Sequence, residues 1–160
     1  MHYSPKDLKL TPLKTVPVGS LVQLVGRTDN IPYALRITDK ATGNAARVMI
    51  LGGSHSFQVI DWGDGNALTL PVCAPDELRI RPKTSDKHGR YTDGGTLTLH
   101  DGGAFITAAP GQGAFHGVQI DVGTWDDSNP ALRHGELLAY PEWEFGKVDH
   151  RGEFVRIYPV

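Results

Sequence analysis

Glycine and proline punctuate this chain too closely for long helices. There are 19 glycines and 11 prolines, 30 in all, among 160 residues. Glycine in a helix interior costs backbone entropy, and proline removes an N–H and clashes with the turn before it. Between these breakers the apolar residues alternate with polar ones. Tyr33, Leu35 and Ile37 share one parity, with Arg36 and Thr38 on the other. That is the two-residue period of a strand, not the period of a helix. About twelve such runs recur at short intervals between turn signals, which predicts an all-β sandwich or barrel of short antiparallel strands. No strand–helix–strand unit is visible, so a parallel nucleotide-binding sheet is not expected.

The runs fall into an ordered plan. Residues 1–14 read as an N-terminal arm, which Pro12 and Pro17 keep extended along a sheet edge. Residues 15–160 then form a single β domain. Within it, Gly52-Gly53-Ser54-His55-Ser56-Phe57-Gln58-Val59 recurs loosely as Gly113-Ala114-Phe115-His116-Gly117-Val118-Gln119-Ile120. Both copies read Gly-x-x-His-x-apolar-Gln-apolar. Trp62-x-Asp64-x-Asn66 likewise finds a partner in Trp125-x-Asp127-x-Asn129. Matches in the same order predict two duplicated halves, about 15–72 and 73–134, related by a pseudo-two-fold axis. Residues 135–160 supply closing strands with a hairpin turn at 149–152. Asn129-Pro130 to Gly135 carries a cap, a first-turn proline and a terminating glycine, so one short helix is expected near 130–134.

Composition excludes several classes. The chain is 39% hydrophobic and 21% charged, a globular balance with enough length for a proper core. A single cysteine, Cys73, forbids an intramolecular disulfide. The longest purely aliphatic run, Val48-Met49-Ile50-Leu51, is far too short to cross a membrane. A soluble cytoplasmic protein is expected, a description that a phage or mobile-element protein working inside a bacterium would share. Net charge is −2, which makes no global case for nucleic acid. Charge is unevenly placed, however. Arg79, Arg81, Lys83, Lys87 and Arg90 cluster in one stretch, which reads as a basic loop.

Few residues point to catalysis. His55 and His116 would meet across a pseudo-axis, and imidazole serves both metal binding and proton transfer. In a strand, though, His55 and Gln58 lie on opposite faces, which favours a structural role in two equivalent turns. No His-x-His, His-Glu-x-x-His or cysteine pair supports a metal site. Cys73 reads as a small buried residue. Glu142 and Glu144 share a strand face and could act on a glycoside, but a solvated face explains them more simply. No cofactor is expected. Trp62, Asp64, Trp125 and Asp127 sit in matching polar loops and could anchor a partner.

The sequence therefore points to a small non-catalytic β protein that binds a macromolecule. Its expected contact residues are Trp62, Asp64, Trp125, Asp127, Arg81, Lys83, Lys87 and Arg90. A protein partner leads; nucleic-acid contact through the basic 79–90 stretch and an enzyme built on the two histidines are the alternatives. Exposed strand edges also make a homodimer plausible.

Overall fold

The computed structural model describes residues 9–25, 33–38, 47–62, 65–84, 90–100, 103–110, 117–127 and 138–159. The expected all-β architecture is present: among the described residues, thirteen short strands form three antiparallel sheets. Among the described residues the one helical element is a 3-10 turn, Leu13–Thr15. Asp64, Lys87, His116 and the expected helix at 130–134 lie outside the described residues.

The largest sheet has six strands: β1 (Thr11–Pro12), β2 (Leu21–Leu24), β3 (Tyr33–Arg36), β4 (Arg47–Leu51), β5 (Val59–Asp61) and β6 (Leu68–Cys73). Their spatial order is β1-β6-β2-β3-β4-β5. β1 lies at one edge, where Thr11 pairs with Thr69. The second sheet contains β8 (Leu97–His100), β9 (Gly103–Thr107), β10 (Gln119–Asp121) and β11 (Leu138–Tyr140), in the order β10-β9-β8-β11. The third has β7 (Leu78–Pro82), β12 (Trp143–Val148) and β13 (Phe154–Tyr158), with β12 in the centre.

Strand alternation decides what each sheet buries. In β4, Met49 and Leu51 enter the main core, while Val48 and Ile50 enter a second cluster. The six-stranded sheet is thus apolar on both faces. The main core also takes Leu97, Ile106 and Ile120 from the second sheet and Trp143, Phe145 and Ile157 from the third. The second cluster is closed in part by Leu13 and Val16, which follow β1.

A duplication is not shown by this strand order. Meanders β3-β4-β5 and β8-β9-β10 occur in both halves, but their flanks differ. β3 is flanked by β2, which precedes it; β8 is flanked by β11, which comes later in the chain. β7, at the start of the expected second half, leaves both meanders and pairs with closing strand β12.

Candidate anion-binding face

The basic stretch is not simply a loop. Its first residues form β7, and this corrects the reading of residues 79–90 as one loop. Ile80 faces the main core, so alternation turns Arg79 and Arg81 outward. β7 pairs with β12 so that Arg81 stands opposite Glu144. β12 is the central strand, and Phe145 packs inward, which sends Glu144 to the same outer face.

Glu144 is not a solvated strand residue. Its side chain is 3% exposed because three cations cover it. Arg81 donates to Oε2 from Nε at 2.9 Å and from Nη2 at 2.6 Å. Lys83 Nζ lies 3.4 Å from Oε1, and Arg156 Nη1, from β13, lies 3.5 Å from the same oxygen. The Arg81 guanidinium also stacks on the Phe154 ring, 4.2 Å from its centroid. The Phe154 ring has room because Gly146 lies beneath it; a Cβ there would come within 2.6 Å of the ring.

The electrostatics follow from this geometry. The hydrogen bonds from Arg81 hold the Glu144 carboxyl below its ordinary range, against the opposing effect of burial, with Arg81 and Lys83 charges adding to the lowering. A carboxylate held ionised in this way is unsuited to the general-acid role that glycoside chemistry requires. Three cations and one carboxylate leave a surplus of two positive charges. The cationic side chains are about half exposed, at 55%, 46% and 51% for Arg81, Lys83 and Arg156. The arrangement can hold an anion; nothing in it activates a nucleophile.

The other expected contact residues disperse. Trp125 is 7% exposed and packs in the main core against Phe145, with ring centroids 6.1 Å apart. Its backbone adopts φ +57, and its ring fills the space beside Gly19. Trp62, by contrast, packs against the second cluster. The six-stranded sheet separates the two, so they do not form one surface. Asp127 is engaged internally: its Oδ2 accepts from Arg47 Nη1 at 2.7 Å, and Arg47 also reaches Asp61. Arg90 begins a separate turn, where its N–H donates to Asp93 Oδ2.

His55 lies in a turn rather than a strand. Residues 52–57 reverse the chain between β4 and β5, and Phe57 takes φ +64. This brings His55 Nδ1 within 3.2 Å of Gln58 Oε1, so the two side chains meet despite their strand-like spacing. The reversal also inserts Phe57 against Trp143 and Tyr158. No group of three or more potential metal ligands occurs among the described residues. Burial, then Glu77, pushes the Cys73 thiol up to about 11, far from an activated thiolate.

Arg156 and the central role of Glu144 were missed from sequence. They lie 75 and 63 residues from Arg81, respectively, and only the sheet brings them together. The alternation Arg79-x-Arg81-x-Lys83 was the available signal for a strand, masked by Pro82 and the polar run after it. Among the described residues no helix is long and apolar enough to cross a membrane. The chain matches no known family model, no curated protein and no solved structure.

Proposed function

We propose that this is a small non-catalytic β protein that binds an acidic protein partner through the outer face of its three-stranded sheet. The observation that carries the reading is the surplus of positive charge around Glu144, on a chain whose net charge is −2. Half-exposed cations on a rigid sheet retain donors for a ligand and lose little entropy on binding it. A cationic patch on an acidic protein also steers an acidic surface to one orientation. A cytoplasmic setting belongs to the same proposal.

The test is a capture experiment with the whole chain. Wild type and the charge-reversed double variant Arg81→Glu/Lys83→Glu are used as bait, across a range of salt. A stoichiometric protein retained by wild type, released by salt and lost from the variant is the expected result. Equal capture by both baits refutes this face as the contact surface. Nucleic acid in place of protein transfers the reading to phosphate-backbone contact by the same cations.

A further inference from the structure

The reading of this face as a contact surface can be taken one step further, to the chemical group that it receives. We infer that Arg81, Lys83 and Arg156 form a preformed site for a phosphoryl dianion carried on a side chain of the partner, and that Glu144 is the positioning residue that holds the three cations together.

Three features carry this. The first is convergence: all three cations reach the same carboxylate, within 2.6, 3.4 and 3.5 Å. A compact anion resting above that carboxylate meets all three heads, whereas spaced carboxylates on an extended segment do not. The second is charge. The cluster carries a surplus of two, which a phosphate monoester at neutral pH (about −1.5 to −2) nearly neutralises and one carboxylate leaves half unmatched. The third is order. Arg81 is fixed by two hydrogen bonds to Glu144 and by the Phe154 ring. Its Nη1 edge makes neither of those bonds. Arginine held in this way presents planar donors to phosphate at little entropic cost.

Glu144 is essential to that order. Without it the three cations, which come from β7, the residue just past its end and β13 on the two sides of β12, repel one another and spread into solvent. Its removal therefore has opposite consequences under two readings. If it only offsets charge, Glu144→Gln strengthens anion binding, because the face gains one positive charge. If it positions the cations, the same change weakens binding.

The experiment uses the full chain and fluorescent peptides with neutral flanks, bearing one phosphoserine, one glutamate or one unmodified serine. A single-stranded oligonucleotide serves as a phosphodiester probe. The phosphoserine peptide is expected to bind at least about tenfold tighter than the glutamate peptide. Glu144→Gln is expected to weaken it several-fold although the protein becomes more positive. Lys83→Gln and Arg156→Gln, which alter half-exposed side chains and leave the Arg81–Glu144 bonds in place, are each expected to weaken it as well. These two variants decide the matter should Glu144→Gln fail to fold. Equal binding of phosphoserine and glutamate peptides overturns the phosphoryl assignment, as does the absence of peptide binding. Tighter binding by Glu144→Gln overturns its positioning role. Preference for the oligonucleotide replaces the monoester with a nucleic-acid backbone. All of these results are independent of the capture experiment, so the face can remain a contact surface even where the phosphoryl assignment fails.

Discussion

Trp62 and Trp125 follow the same local pattern, each two residues before an aspartate, and yet they occupy opposite sides of a sheet. The difference lies in what surrounds them. Trp125 meets Gly19, where a Cβ would come within 2.3 Å of its ring, and stacks obliquely on Phe145. A close-packed interior cannot collapse around a lost indole. Trp125→Ala is therefore expected to cost about 3–5 kcal/mol, with Trp62→Ala, at a partly buried site, costing less. Urea unfolding monitored by circular dichroism measures both. Similar losses for the two variants contradict the asymmetry described above. The same contrast applies to Glu142 and Glu144. Two residues apart, they promise equal environments, but Glu144 is buried beneath three cations whereas Glu142 is half-buried.

Among the elements, the hairpin of β12 and β13 holds the candidate site in shape. Asp149 closes it, with Oδ1 accepting from the N–H groups of Arg151 and Glu153. Those bonds keep the Asp149 carboxyl below its usual range. The strand register shifts between Phe145 and Gly146, an irregularity of the bulge type. Glycine is required there on steric grounds. A Cβ at Gly146 would lie 2.4 Å from the Val155 carbonyl oxygen as well as against the Phe154 ring. Gly146→Ala is expected to destabilise the protein by about 1–3 kcal/mol, the range for overpacking a filled site. It should also displace Phe154 from beneath the Arg81 guanidinium. Thermal melting, together with binding of the phosphoserine peptide, reports both effects. An unchanged melt contradicts the close approach.

For the whole molecule, the three sheets share one core, so the charge cluster on the third sheet contributes to global stability. The sign of its pH dependence is fixed. The Glu144 carboxyl is lowered in the folded protein relative to an unfolded value of about 4.3. Its contribution is present above that value and is lost as pH falls through the lower, folded one. Asp149 acts in the same direction. The stability difference between wild type and Glu144→Gln is therefore expected to shrink as pH falls from about 5 towards 2. Denaturant midpoints at several pH values test this, and a difference that grows with acid contradicts it.

Periodicity along the chain determined a good deal. Two-residue alternation and close glycine and proline spacing are local properties, and they identified β3 and the closing strands β12 and β13, because backbone geometry alone dictates which faces their side chains take. The single buried thiol was legible for the same reason: Cys73 sits in an apolar strand end. What tertiary structure alone decided is pairing. No local rule states that β7 leaves its sequence neighbours to join β12, that the turn at 52–57 brings His55 to Gln58, or that Trp125 turns into the core while Trp62 packs across the sheet from it. Those outcomes depend on which apolar faces can be buried together, a property of all three sheets at once. The cluster of Arg81, Lys83, Arg156 and Glu144 is of this kind. Coulombic and hydrogen-bonding forces act over a few ångströms in space, and the separation of these residues along the chain carries no record of that distance.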